Sequence, residues 1–282
     1  MKKVLIFFAV IFGIIVLLSI LMTFAKKVPL GEKVALIDVT GVIIDSADII
    51  DEIKKYAKDS SVKAVVIRVN SPGGAVAPSQ EIYGEVLKLK EKKKVVVSMG
   101  AVAASGGYYI AAPADRIVAN AGTLTGSIGV IMEIPNMSGL MEKIGVETQV
   151  VKSGRHKDIA SAFRTMSPEE KEILQNVLDD VHDQFIRAVS EGRGISLNEV
   201  KQLADGRIFT GKMARDLGLV DELGSLQDAI MLAGSLTGIK GEPEVVTKEK
   251  EFSIFDLLKG KIPERLIGNA LSGIQVKYLL TL

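Results

Sequence analysis

Short apolar runs rich in β-branched residues alternate along the first half of the chain with segments whose apolar residues recur at helical spacing. The runs carry few charges, which is typical of parallel strands buried on both faces of a sheet. The order strand, helix, strand, helix therefore predicts the α/β class, with helices packed on a parallel sheet. Strands are predicted at 33–43, 62–69, 95–98 and 117–119, and helices at 47–57 and 78–89.

The second half of the chain is predicted to be mainly helical. Its longest helix, Pro168–Gly192, follows Ser167, and Glu170 completes a capping box with that serine. A short helix at 137–144 and an apolar strand at 147–151 are predicted before it, shorter helices at 196–203, 211–217 and 226–236 after it, and a charged linker with an amphipathic tail at 239–282.

The segment Val4–Ala25 carries no charged residue. At about 1.5 Å per helical residue it would span about 33 Å, which matches the core of a bilayer. A transmembrane anchor is therefore predicted at 4–25. The pair Lys2-Lys3 favours a cytoplasmic N-terminus (1–3) and an extracytoplasmic remainder, although lysines on the other flank weaken this orientation. A cleaved signal peptide is the alternative, since Thr23-Phe24-Ala25 weakly resembles a cleavage site.

The composition excludes several kinds of catalytic and metal site. The 282-residue chain has no cysteine, which excludes disulfides, thiolate catalysis and cysteine-zinc sites. Its two histidines, His156 and His182, are too few and too far apart for a usual histidine metal site, so neither a metal nor a cofactor is predicted. The net charge of +1 gives no sign of a nucleic-acid partner.

Ser105 is the candidate nucleophile. It lies in the small-residue segment Ala103–Gly107, after a predicted buried strand, where α/β enzymes place nucleophiles at the turn from strand to helix. N–H groups at a helix start can stabilise a developing negative charge. Ala103 stands where a G-x-S-x-G elbow needs glycine, which disfavours an ordinary Ser-His-Asp hydrolase. A plain turn is the alternative interpretation.

Asn70–Gly74 follows another predicted buried strand. It is either a β-turn with proline and glycine in their usual places or part of an oxyanion hole. In the second case the two glycines let the backbone turn an N–H toward a carbonyl oxygen, and the N–H of Gly106 is the second donor.

Lys157 is the candidate base, and His156 beside it is the rival. An exposed lysine has a pKa of about 10.4 and is protonated at neutral pH, so a lysine base requires burial without a carboxylate partner. A Ser-Lys pair can then do what Ser-His does elsewhere. Most lysines are surface residues, which is the alternative interpretation.

Five segments together resemble the signal peptide peptidase SppA family in its short, single-domain form. They are 70–74, 103–109, 123–130, 152–158 and 218–224. After the lysine and aspartate the family has a Gly-Ser-Pro-type stretch, whereas this chain has Ile159–Ala162.

The resemblance implies an αβ superhelix of the crotonase and Clp-protease type. It also implies that Ser105 is the nucleophile, Lys157 the general base and Ser127 the residue that orients the lysine amine. Members of this superfold form rings or domes in which neighbouring subunits can complete sites, and about eight copies are expected here. The oxyanion hole would fall on Gly74 and Gly106, with Gly73 shaping the turn.

The sequence thus predicts a single-pass protein of the cell membrane whose serine endopeptidase domain, 26–238, lies outside the cytoplasm. It would hydrolyse apolar peptides such as remnant signal peptides through a Ser-Lys dyad. Three alternatives stay open: an anchored protease that cuts other membrane-protein segments, a crotonase-like acyl-CoA enzyme and a non-catalytic membrane scaffold. The tail Tyr278–Leu282 would occupy a neighbour's substrate groove, contact another subunit or lack fixed structure.

Overall fold

Eight strands form one sheet in the part of the chain that the computed structural model describes, residues 12–13, 32–248 and 277–279. The strand order is β7-β6-β4-β2-β1-β9, with β5 paired to β4 and β8 paired to β5. All pairs are parallel except β6 with β7, so the predicted α/β class is confirmed and the sheet is mixed. The strands are β1 Lys33–Thr40, β2 Val62–Ser71, β4 Lys94–Ala104, β5 Arg116–Ala119, β6 Leu124–Gly126, β7 Ile208–Thr210, β8 Glu222–Leu223 and β9 Glu244–Thr247.

Two further short strands, β3 Gly73–Ala75 and β10 Lys277–Leu279, pair antiparallel with each other beside this sheet. The helices connect the strands and flank the sheet. They are α1 Ala47–Lys58, α2 Val76–Lys90, α3 Gly106–Ala111, α4 Ser138–Lys143, α5 Pro168–Arg193, α6 Leu197–Leu203, α7 Gly211–Asp216 and α8 Leu226–Ser235.

Alternate residues of the central strands enter different cores. Along β2, Val65 and Ile67 join the larger core, which includes residues of α2, α3 and α5, whereas Ala64 and Val66 pack with residues of α8. Both faces of the sheet are therefore covered, which explains why these strands read as nearly continuous apolar runs.

Strand β4 continues six residues beyond the predicted end at Ser98 and includes the small-residue run up to Ala104. Its first half pairs with β5, and its second half, Val102–Ala104, pairs with β6. Two different strands thus share one edge of β4. This arrangement brings the end of β6 next to Ser105.

Several predicted features differ in the structure. The predicted strand at 147–151 is absent, because these residues are exposed and have no partner strand among the described residues. The segment at Gly73–Gly74 is extended strand instead of a β-turn. The unpredicted β9 pairs with β1, so the sheet extends past residue 238.

The predicted membrane anchor, 4–25, lies outside the described residues except for Phe12 and Gly13, which are helical. None of the helices within the described ranges is both long enough and apolar enough to span a bilayer. Most of the tail also lies outside these ranges, and its residues 277–279 pair with β3 of the same chain.

Candidate active site

Ser105 occupies the junction between β4 and α3, as the N-cap of that helix. Its φ of 53° and ψ of −120° lie in a region that non-glycine residues rarely adopt. Two hydrogen bonds hold this backbone: the Ser105 N–H donates to the Gly126 carbonyl at 2.8 Å, and Tyr109 N–H donates to the Ser105 carbonyl at 2.9 Å. The side chain is buried, and its Oγ has no hydrogen-bond partner in the described structure.

A glycine-rich edge lies beside this serine. Strand β3 follows Pro72 and is fixed on one side by Ile43, whose N–H donates to Gly73 O at 2.9 Å and whose carbonyl accepts from Ala75 N–H at 2.7 Å. The backbones are so close that a Cβ on Gly74 would lie 2.0 Å from the Ile43 carbonyl oxygen. Gly73 has a φ of 103°, which also requires glycine.

The other side of β3 pairs with β10. Tyr278 lies opposite Gly74, and Leu279 lies opposite Gly73. The glycine-rich edge therefore accepts an extended, antiparallel strand, which is how many proteins bind peptides.

The structure also brings Ser127 to this place. Ala104 and Gly126 are register partners at the ends of β4 and β6, so Ser105 and Ser127 follow directly from paired residues. Ser127 is buried and also has a positive φ, 50°, and its N–H donates to the Arg207 carbonyl at 2.8 Å. It lines a cavity of about 480 Å³ together with Asp179 and His182 of α5.

No hydrogen bond joins Lys157 to Ser105 within the described residues. Lys157 is exposed in an irregular loop, and within the described ranges its amine makes no hydrogen bond or ion pair. Nε2 of the rival base His156 lies 3.7 Å from Glu169 Oε1, and no hydrogen bond joins His156 to the Ser105 hydroxyl in the described structure. The predicted nucleophile, orienting serine and oxyanion glycines thus lie around the end of β4, and no hydrogen bond in the described structure joins the predicted base to the nucleophile.

Sequence reasoning missed the buried threonines that shape this end of β4. Thr125 Oγ1 donates to the Ala103 carbonyl at 2.6 Å, and Thr123 Oγ1 donates to the Gly100 carbonyl at 2.7 Å. They satisfy carbonyls on the half of β4 that carries no β5 partner. Both threonines lie in the segment 123–130, which resembles the SppA family, and this resemblance is the sequence feature that could have identified them.

The loop that carries Lys157 is tied to α5 by ion pairs. Arg164 lowers the pKa of Asp158, with a further contribution from Lys152, and Arg164 with the Ser167 backbone lowers the pKa of Glu170 to about 2. The pKa of Glu170 is about 4.5 in the unfolded chain and about 2 in the folded chain. Its ion pair therefore contributes to the stability of the fold above pH 4.5, and this contribution is lost as the pH falls toward 2. The ties are therefore intact at neutral pH.

The described residues include no group of three or more His, Asp or Glu side chains arranged to hold a metal ion.

Two family models match the chain. The model of Peptidase family S49 matches residues 87–240, and the model of Clp protease matches residues 37–125. The second match spans β1 to β6 and confirms the predicted Clp-protease-like α/β fold. The first spans the regions of Ser105, Ser127 and Lys157 and describes a family of peptidases, not of acyl-CoA enzymes.

Curated relatives agree with this assignment. A protein of Synechocystis sp. provisionally named a protease is 46% identical over 76% of this chain and 77% of its own length. A protein of Enterococcus faecium provisionally named signal peptide peptidase SppA is 40% identical over 71% of this chain and 62% of its own. Protease 4 of Haemophilus influenzae is 38% identical over 79% of this chain and 37% of its own length.

The chain thus spans less than two thirds of the last two relatives. The matched family and the names of these relatives confirm the predicted class, a serine endopeptidase. On a family model that matches more than half of its residues, and on relatives of this identity, the chain belongs to peptidase family S49.

Proposed function

We propose that this chain is a membrane-anchored serine endopeptidase that cleaves apolar peptides, remnant signal peptides among them, through an acyl-enzyme formed on Ser105. One observation carries the proposal: Ser105 is held at positive φ at the end of β4, and its buried hydroxyl lacks a hydrogen-bond partner among the described residues. A strained backbone and an unpaired buried hydroxyl both cost free energy, and such features cluster at functional sites.

In the proposed reaction, Ser105 Oγ attacks the scissile carbonyl carbon while Lys157 Nζ takes the hydroxyl proton. The N–H groups of Gly74 and Gly106 stabilise the oxyanion of the tetrahedral intermediate. The intermediate collapses, the C–N bond breaks, and Lys157 returns the proton to the leaving amine. Water, deprotonated by Lys157, then attacks the acyl carbon, the bond to Ser105 Oγ breaks, and Lys157 returns the proton to that oxygen as the second peptide leaves with a new carboxyl group. Ser127 orients the lysine amine.

A lysine that acts as a base requires burial, and Lys157 is exposed in the described part of this chain. The Ser105 hydroxyl has no partner among the described residues, and it would gain one if Lys157 came from a neighbouring copy. We therefore propose a homo-oligomer whose subunits complete one another's sites, with about eight copies as the resemblance implies.

The substrate would bind as an added strand. The pairing of β10 with β3 supports an extended peptide in antiparallel register along Gly73–Ala75, with its backbone beside the oxyanion donors. Val42 and Ile44, which flank the β3 contact at Ile43, are exposed and can contact apolar substrate side chains. An anchor at 4–25 would hold this site near the outer surface of the bilayer, where signal-peptide remnants are released.

The proposal is tested with the full chain in detergent micelles. We expect cleavage of a fluorogenic peptide with a signal-peptide-like apolar core, at a kcat/KM at least about tenfold above that of a polar peptide of equal length. Burial of about two additional methylene groups suffices for that difference. The Ser105→Ala chain is the control. Equal turnover by this variant, or none by the folded wild type, would contradict the proposal, and the second result favours a scaffold.

The pairing of the tail with β3 gives a further expectation. Deletion of the residues after Lys277 should raise kcat/KM for the apolar peptide severalfold through a lower KM, because a strand that competes for the site lowers the apparent affinity. A chain of unchanged length with glycine and serine at 278–282 should behave like the deletion. An unchanged KM in both variants would show that the tail does not occupy the peptide site.

A further inference from the structure

The loop that carries Lys157 has little regular structure to fix it. Residues 144–166 contain no strand, and Lys157 itself lies in a series of turns. A group that moves protons must be held close to its productive position, since a misplacement of about 1 Å can cost about 10²-fold in rate. Other contacts must therefore set the position of this loop.

The side chain of Arg164 makes several of these contacts. Arg164 Nε donates to Asp158 Oδ2 at 2.8 Å, and Arg164 Nη2 donates to the Asp158 carbonyl at 3.1 Å. Asp158 directly follows Lys157, so Arg164 holds both the side chain and the backbone of the adjacent residue. The same guanidinium makes a bidentate pair with Glu170, with Nη1 to Oε2 at 2.7 Å and Nη2 to Oε1. Such forked pairs fix geometry as well as charge.

Glu170 links this arginine to a rigid helix. It is buried, and its Oε2 also accepts the N–H of Ser167, while the Ser167 hydroxyl accepts the N–H of Glu170. This capping box begins α5, whose Phe185 is buried against the ring of Tyr109 in α3, with ring centroids 4.9 Å apart. The contacts thus run from the loop of Lys157 into the core of the domain.

The loop also contains a strained residue. Ala160 is buried and has a φ of 65°, at a place where the resembled family has a Gly-Ser-Pro-type stretch. Conformations of this kind persist only where the surroundings determine them. By contrast, the ion pair of Arg155 with Glu169, on the same loop and helix, is largely exposed, and exposed pairs contribute little.

We propose that Arg164 is a positioning residue, which fixes the loop of Lys157 on the N-terminus of α5 through Asp158 and Glu170. The inference rests on the proposed function of Lys157 as the base. Arg164 itself touches neither substrate nor Ser105 in this role, and it acts by setting where the lysine stands.

The experiment compares three variants of the full chain in detergent. Arg164→Gln should lower kcat for the apolar peptide about 10²-fold with KM nearly unchanged. It should also lower Tm, because Glu170 stays buried without its partner. The double variant Arg164→Gln/Glu170→Gln removes that charge, and a glutamine still caps α5. We expect it to recover Tm but not kcat. Arg155→Gln is the matched control and should keep both.

Hydrogen exchange of the amides in 152–163 provides a measurement that does not depend on turnover. Exchange there should be faster in Arg164→Gln and in the double variant than in wild type and Arg155→Gln. Recovery of kcat in the double variant would overturn the inference, because Arg164 would then only neutralise Glu170, and unchanged exchange would overturn it as well. Absence of Ser105-dependent turnover in wild type would instead refute the proposed function, and exchange would still decide whether Arg164 fixes the loop.

Discussion

Co-expression of a Ser105→Ala chain with a Lys157→Ala chain should restore peptidase activity that each variant lacks by itself. Each single variant should lose at least about 10³-fold in kcat, because nucleophile and base act as a unit. If Lys157 serves the Ser105 of a neighbouring subunit, a site is intact only where a chain with Ser105 lies beside a chain with Lys157. When equal amounts of the two variants assemble at random, about a quarter of the interfaces meet this condition. The measurement is kcat per active site of the co-purified assembly against wild type.

This expectation follows from the surroundings of the two residues in the described part of the chain. The Ser105 hydroxyl has no partner within the described residues, and Lys157 is exposed. If both residues of a dyad came from the same chain, every site in the mixture would carry one defect and the mixture would stay inactive. An inactive mixture of well-assembled chains would therefore place the dyad within one subunit. Activity of Lys157→Ala alone would remove the lysine as base and favour His156.

The elements around the sheet were predictable because their signals are local. Buried strands such as β2 read as apolar runs, and α5 begins at a capping box that the spacing of Ser167 and Glu170 reveals. The strand β9 was missed because four residues between charged segments become a strand only by pairing with β1, which lies some two hundred residues away in sequence. The prediction of a strand at 147–151 was wrong because a strand-like apolar pattern does not form a strand unless another strand pairs with it.

Only part of the candidate site could be predicted from the sequence. Ser105 and the glycines of β3 lie in short segments whose small residues are visible in the sequence, and the structure brings them together. Lys157 lies in a loop that Arg164 joins to Glu170, and in the proposed oligomer the partner of Lys157 comes from another subunit. The spacing of residues in the sequence predicts neither the position of this loop nor the partner of Lys157, because both depend on contacts between separate elements.

Substitution of Gly74 by alanine should lower kcat about 10²- to 10³-fold, the loss typical of one missing oxyanion donor. The added Cβ would lie 2.0 Å from the Ile43 carbonyl oxygen, a distance that no real methyl group adopts. Ile43 is itself buried and bonded to both neighbours of Gly74, so it has little room to retreat. Strand β3 must then shift, and with it the N–H that we assign to the oxyanion.

The matched control is Gly84→Ala in α2, where an added Cβ would meet nothing within 4 Å. That variant should keep kcat and gain up to about 1 kcal/mol of stability, since alanine favours helices over glycine. Thermal unfolding of both variants separates a displaced strand from a lost fold. A Gly74→Ala chain that stays folded at the assay temperature but has lost kcat supports the assignment. Full activity of the folded variant would show that the backbone of β3 is not part of the oxyanion hole.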